Sequence, residues 1–398
     1  MDTIYMDNNA TTKVDPAVLE EMLPYFTEQY GNPSSMHRFG GQVGGKITEA
    51  RERVAALLGC DAREVIFTAC GTESDNTAIR SALAAQPDKK HIITSRVEHP
   101  AILSLCKHLE KREGYDVTIL NVDTEGNLDL DELNKAIRDD TAIVSIMWAN
   151  NETGVIFPVE KIGEICRDRG VIFHTDAVQA VGKIPMNLKE LPIDMLSLSG
   201  HKLHAPKGVG ALYVRKALPY RPFIIGGHQE KGRRAGTENT TGIIALGKAC
   251  DVALQHIDDE NTRVKALRDK LESGLMSAIP DAKLNGDKDH RLPNTTNISF
   301  GYVEGEAILL MIDQLGICAS SGSACTSGSL EPSHVLRAMG VPFTFAHGSI
   351  RFSLSRFNTE EEVDYVVENL PKIIENLRKI SPFSAQDSGP ACTPRSTE

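Results

Sequence analysis

At 398 residues the chain is longer than one hydrophobic core usually supports, so two domains are expected. Hydrophobic residues at 41% and charged residues at 24% are the balance of a soluble globular protein. With 43 basic against 54 acidic residues the formal charge is -11, which disfavours nucleic acid or an anionic membrane as a partner.

No apolar run reaches the ~20 residues of a membrane helix, and Ala142–Ala149 is among the longest. The start, Met1-Asp2-Thr3-Ile4, has neither the basic nor the apolar region of a secretory signal, so a cytoplasmic location is expected. Eight cysteines are scattered without a Cys-x-x-Cys pair. No zinc site or dithiol motif is spelled out, and reduced thiols are the default.

Residues 1–15 read as irregular, but Asp7-Asn8-Asn9-Ala10-Thr11-Thr12 is dense in small hydrogen-bonding side chains that suit either an exposed loop or a pocket wall. Asp15-Pro16 supplies a cap and a first-turn proline for a helix to about Tyr30, which Gly31-Asn32-Pro33 breaks. From Val43 the apolar positions Ile47, Ala50, Val54, Leu57 and Leu58 recur at helical spacing until Gly59. Strand-like runs then fall at Val65–Thr68, His91–Thr94, Val117–Val122, Ala142–Trp148, Val171–Thr175, Asp194–Leu198 and Gly210–Val214. Helical stretches near 73–85, 100–113, 129–138 and 158–169 separate most of them. That alternation predicts an α/β fold with a mainly parallel seven-stranded sheet flanked by helices. The last connection is too short for a parallel crossover, so the final strand is expected to run antiparallel.

Ligands in such sheets bind beyond the carboxyl ends of the strands, where the polar residues collect. The first strand runs into Cys70-Gly71-Thr72, where backbone amides and a hydroxyl at a helix start suit a phosphate, or where Thr72 simply caps the helix. His99-Pro100 sets a flat ring at the second strand-to-helix corner, and Asn151 follows the fourth strand. The fifth delivers Asp176 and Gln179; a carboxylate at that edge fits a protonated ring nitrogen or a helix cap, and Gln179 could donate to a ring oxygen. After the sixth, Ser197, Ser199 and His201 crowd Lys202. A lysine where a buried strand opens into a loop has an amine fit for imine formation with an aldehyde cofactor, although most lysines in such places are solvated.

Thr72, His99, Asp176, Gln179 and Lys202, in this order at successive strand ends, resemble the site of fold-type I pyridoxal-phosphate enzymes. The nearest resemblance is to class V aminotransferase-family cysteine desulfurases, from Met6-Asp7-Asn8-Asn9-Ala10-Thr11-Thr12 to Arg351-Phe352-Ser353-Leu354-Ser355-Arg356. It implies pyridoxal 5'-phosphate bound to Lys202, with His99 stacked on its ring, Asp176 on its nitrogen and Gln179 on its hydroxyl. Gly71, Thr72, Ser199 and His201 would hold its phosphate. The segment Arg233-Arg234-Ala235-Gly236-Thr237-Glu238-Asn239 resembles the one that crosses a homodimer, with Thr237 completing the partner subunit's phosphate site. Arg351 matches the arginine that clamps the substrate carboxylate, assisted by Asn151. A planar guanidinium suits that task.

Beyond Asn239 long amphipathic helices are expected at about 240–257 and 260–278, then a strand at Asn297–Phe300 and helices at 304–315 and 359–380. The boundaries that follow are a large cofactor domain over 14–256, a smaller α+β domain from 1–13 and 257–380, and a disordered tail over 381–398. Cys318–Leu330 holds five serines and two glycines in thirteen residues, so Cys325 is either an incidental thiol in a linker or a nucleophile that must travel. The resemblance implies the latter: L-cysteine is converted to L-alanine and its sulfur becomes a persulfide on Cys325. No metal is required, although Cys325 could transiently ligate an iron–sulfur cluster.

Met147-Trp148-Ala149-Asn150-Asn151, His204-Ala205-Pro206 and Gly226-Gly227-His228-Gln229-Glu230 look more like the nitrogen-fixation (NifS-type) branch. That implies delivery of sulfur to a NifU-like scaffold for nitrogenase clusters. A selenocysteine lyase or aminotransferase of the same fold is the alternative enzyme. A non-catalytic sulfur carrier or assembly scaffold is the alternative of another class, and it predicts a colourless protein.

Overall fold

The computed structural model describes residues 3–321 and 332–381. Cys325 and the expected tail beyond residue 381 lie outside the described residues. The strands, in chain order, are β1 (Ile4–Tyr5), β2 (Val65–Thr68), β3 (His91–Ser95), β4 (Asp116–Leu120), β5 (Thr141–Ser145) and β6 (Ile172–Asp176). They continue with β7 (Met195–Ser199), β8 (Gly210–Val214), β9 (Ala282–Leu284), β10 (Thr295–Phe300), β11 (Ile317–Cys318) and β12 (Ser349–Ser353).

β2 to β8 form a seven-stranded sheet in the order β2-β8-β7-β6-β5-β3-β4. It is parallel except at β8, which pairs antiparallel with both β7 and β2, as the short connection requires. Every residue of β2, β3, β5, β6, β7 and β8 is buried, so neither face meets water. Side-chain alternation then divides each strand between two helical layers. Phe173, Leu196 and Leu198 point into a core with Val54, Leu58, Leu246 and Cys250 from the helices Arg38–Leu58 and Thr240–Asp259. Ile172 and Met195 point the other way, onto Ile79, Ile102 and Leu105 from the helices Gly71–Ala85 and Pro100–Glu113. The helices 38–58 and 240–259 pack closely because Gly247 has no side chain. A Cβ there would lie 2.7 Å from that of Ala50.

A second sheet, β12-β10-β9, is antiparallel. Its Ile298, Phe300, Ile350 and Phe352 join Met6, Leu271, Leu275, Val366 and Leu370 in a separate apolar cluster with the helices Lys265–Ala278 and Glu360–Ile380. β1 pairs in parallel with β11, and Asp7 bridges to Ser353, so the first residues of the chain are sewn onto this second unit.

Several boundaries differ from the sequence reading. The first helix stops at Met22 because Pro24 starts a separate short helix, Pro24–Thr27, instead of continuing to Tyr30. The next begins at Arg38 rather than Val43. Gly40, Gly41, Gly44 and Gly45 lower its intrinsic propensity and hide its start, which His37 caps through Nδ1 to the Gly40 amide at 3.1 Å. Helices 240–259 and 265–278 are joined by the wide turn Glu260–Val264 without a break. β9 and the β1–β11 pair escaped notice because two or three residues carry no period.

Candidate active site

The carboxyl ends of β2, β3, β5, β6 and β7 open into one cavity of about 380 Å3. Its lining includes Gly71, Thr72, His99, Asn151, Asp176, Gln179, Ser199, His201, Lys202 and Arg351, so the structure brings together ten of the positions singled out from the sequence. Lys202 ends the short turn Gly200–Lys202 directly after β7. Its half-buried Nζ donates to the backbone oxygens of Asn9 and, at 2.8 Å, Ala10. The polar N-terminal run is therefore a pocket wall. Thr12 donates through Oγ1 to the His201 carbonyl at 2.9 Å, and His201 Nδ1 meets Thr11 Oγ1 at 3.1 Å.

Asp176 is buried at the end of β6, with Oδ1 accepting from the Val178 amide at 2.9 Å. Burial lifts its carboxyl to about 6, against the pull of that amide and of Lys202. His99 caps the helix Pro100–Glu113 by accepting from the Ala101 amide at 3.2 Å, so Nδ1 is its unprotonated nitrogen. Burial, reinforced by Lys202, holds this imidazole down to about 4, and His201 likewise. Both rings are neutral at physiological pH, which is the state that stacks on a flat ring or takes up a proton.

The polar atoms left over define what the cavity fits. Ser199 Oγ and Gln179 Oε1 are buried without a hydrogen-bond partner, a costly condition unless a ligand satisfies them. Gln179 itself is held by its Nε2 donating to the Asn9 carbonyl at 3.1 Å. Thr72 is not the helix cap: Cys70 occupies that position and makes no side-chain cap bond. The first-turn amides of a fifteen-residue helix thus face the cavity uncapped, beside the Thr72 hydroxyl. Gly71 is required there, since a Cβ would come within 2.9 Å of Val178. An amine, a buried carboxyl, a neutral imidazole and an anion cradle at the ends of successive strands fit a planar aldehyde cofactor carrying a phosphate.

Arg351 enters from the other sheet. On β12 it lies between Ile350 and Phe352, which face the apolar cluster, so its own side chain points away, toward the cavity. The guanidinium donates to Asp7 Oδ1 at 2.7 Å and to the Asn151 carbonyl at 2.9 Å, while Nε is buried without a partner. Asn151 thus braces Arg351 through its backbone. Thr237 does not join the cavity. It is exposed and lines a separate hollow with Gly208, Gln229 and Arg234.

The sequence reading missed Asp75, Cys70 and Met147 in the wall. Asp75 carried one signal, a carboxyl a helical turn before Ile79 on a face otherwise made of small and apolar residues. Among the described residues no cluster of His, Cys, Asp and Glu could hold a metal ion. No described helix is long and apolar enough to cross a membrane.

Residues 4–366 match the model of the aminotransferase class-V family, and the chain belongs to it. Its seven-stranded sheet is that of a fold-type I pyridoxal-phosphate enzyme. Within that class its relatives are proteins named cysteine desulfurase. The one from Nostoc sp. is 62% identical over 389 residues, covering 98% of this chain and 97% of that protein. "Cysteine desulfurase NifS" of Azotobacter vinelandii is 58% identical over 400 residues, covering 99% of each. A solved "NifS-like protein" superposes with a TM-score of 0.88 at 41% identity, covering 94% of this chain and all of that one. The apo structure of a cysteine desulfurase from Thermococcus onnurineus gives 0.83 at 26% identity, over 94% and 95% of the two chains.

Proposed function

We propose that the protein is a pyridoxal 5'-phosphate-dependent cysteine desulfurase that converts L-cysteine to L-alanine and carries the sulfur away as a persulfide on Cys325. The observation that supports this most directly is the meeting of Lys202, Asp176 and His99 with the unpartnered Ser199 and Gln179 in one cavity, with Arg351 at its edge. Lys202 would hold the cofactor through its amine. Asp176 would face the ring nitrogen, His99 the ring plane and Gln179 the ring hydroxyl. Thr72, Ser199, His201 and the amides after Gly71 would hold the phosphate. When bound, the cofactor supplies an electron sink that makes the carbon–sulfur bond of the substrate labile.

The chain's own groups do the rest. The Arg351 guanidinium, held in plane by Asp7 and the Asn151 carbonyl, receives the substrate carboxylate through its remaining N–H groups. Lys202 would also hold and move a proton at Nζ when that amine is free of the cofactor. His99 has its unprotonated Nδ1 engaged with the Ala101 amide, so its ring proton sits on Nε2, which would give that proton at the sulfur and be reprotonated afterwards. The Cys325 thiolate is the sulfur acceptor.

The small-domain role of 1–13 and 257–380, the homodimer completed through Thr237, and a NifU-like scaffold as sulfur acceptor for nitrogenase clusters belong to the same reading. It acts in the cytoplasm, where thiols stay reduced. Purified protein should be yellow and release alanine from L-cysteine without a 2-oxo acid. A colourless protein, or transamination indifferent to Cys325→Ser, would refute the assignment.

A further inference from the structure

Beneath the cavity lies a buried acid that the chemistry above does not use. Asp75 stands one turn into the helix Gly71–Ala85, 1% exposed, and lines the cavity floor. This helix covers the sheet face onto which alternation turns Ile172, His174 and Asp176 of β6 and Met195, Ser197 and Ser199 of β7. Asp75 therefore meets groups unable to neutralise it. Its Oδ1 has no hydrogen-bond partner, and the nearest basic atom, His174 Nε2, is 3.7 Å away. That imidazole is fully buried between two hydroxyls, Ser145 Oγ at 2.9 Å and Ser197 Oγ at 2.9 Å. Burial lowers it to about 3, so it brings no charge. The other titratable groups that bear on Asp75 are Asp176, Glu98 and Cys70, all of which disfavour a second negative charge. Lys202, on the cavity wall, donates to the Asn9 and Ala10 carbonyls and bears on Asp176 rather than on Asp75.

We propose that Asp75 is a positioning residue that remains a neutral carboxylic acid, leaving Asp176 as the single negative charge presented to a cationic ring nitrogen. Two carboxyls in one dry site do not both ionise, and the one whose anion is less well stabilised by donors and cations keeps the proton. Asp176 has the Val178 amide and the proximity of Lys202, whereas the single side-chain donor to Asp75, Ser197, is outweighed by complete burial and the repulsion of Asp176. The Asp75 carboxyl is accordingly raised well above the ordinary range. The proposal deepens the assignment of Asp176 to the ring nitrogen and rests on it.

Holoenzyme is compared as wild type, Asp75→Asn and Asp176→Asn. Loss of a charged hydrogen bond should weaken cofactor binding in Asp176→Asn by ~10- to 100-fold; unchanged binding there would overturn the assignment of Asp176 itself. Asp75→Asn replaces a neutral group by a neutral group, so cofactor affinity at pH 7 should stay within about threefold. A tenfold or larger loss would mean that Asp75 is an anion and would overturn the proposal. Stability supplies a readout independent of turnover. The folded state retains a proton that the unfolded chain releases above ~4, so wild type should lose stability relative to Asp75→Asn as pH rises from 5 to 8, by up to tenfold in the unfolding constant per pH unit. A gap that does not change with pH overturns the proposal. Should the variant not fold, the infrared spectrum of wild type at pH 7.5 decides: protonated-carboxyl absorption beyond that of Glu98, assigned with Glu98→Gln, supports it, and its absence overturns it.

Discussion

The two sheets contribute to the cavity in opposite ways. In the seven-stranded sheet each functional residue stands where its own strand ends: His99 four residues after β3, Asp176 at the last position of β6, Lys202 three after β7. In the three-stranded sheet Arg351 sits in the middle of β12 and reaches the site only because alternation turns it away from Ile350 and Phe352. It is then clasped by Asp7, 344 residues away in sequence. Under the proposed function, the difference teaches that cofactor chemistry would fall to strand ends with local signals, and substrate recognition to a surface assembled from distant parts of the chain.

Lesions on the two sides should therefore separate. The largest effect is expected for Lys202→Ala, which on the proposed function would remove both the covalent anchor and the proton carrier. Alanine formation should fall by at least ~10²–10⁴-fold, with loss of the visible band of the lysine-bound cofactor. Persulfide formation should vanish in Cys325→Ser while that band persists. Sulfur transfer to an acceptor at the wild-type rate would show that this thiol is not the carrier.

Arg351→Lys sharpens the contrast. It keeps the charge but not the fork, and should raise KM for L-cysteine by ~10- to 100-fold with cofactor binding intact. A lost visible band in this variant would blur the division between the sheets.

A smaller effect is expected under the large sheet. Glu98 is fully buried, with Oε1 accepting from Ser95 at 2.7 Å and from the Met147 amide at 2.9 Å, and burial lifts its carboxyl to about 8. An acid raised in the folded state contributes stability at low pH that is lost as pH rises toward 8. Glu98→Gln should thus gain on wild type by up to ~1.4 kcal/mol per pH unit above pH 5, measured by urea unfolding at constant salt. The smallest change joins the two units. Asp15 caps the helix Pro16–Met22 through the Ala17 amide at 2.7 Å and pairs with Arg356 at 2.6 Å. Its replacement by Ala should cost ~1 kcal/mol in the same assay, with KM little altered.

Legibility followed the same division. His99-Pro100, Thr175-Asp176 and Ser199-Gly200-His201-Lys202 announce themselves as abrupt changes from apolar to polar at strand ends. Their order along the chain is the order in which the sheet presents them. The N-terminal run left an exposed loop and a pocket wall both open, because its use as a wall depends on the Lys202, Gln179 and His201 side chains and backbone that meet it. Asp75 was hidden by its single signal. A carboxyl in a helix is ordinarily solvated, and only the packing of helix 71–85 on β6 and β7 takes it from water.

By itself, then, the chain's pattern of apolar runs and interruptions determined the parallel sheet, the antiparallel turn of β8 and the set of strand-end residues, since these depend on neighbours a few positions apart. Tertiary structure alone decided the partners of Arg351, the placing of Cys70 rather than Thr72 at an uncapped helix start, the exclusion of Thr237 from its own chain's cavity and the burial of Asp75. Each of these depends on which distant surfaces meet, and on how completely water is removed when they do.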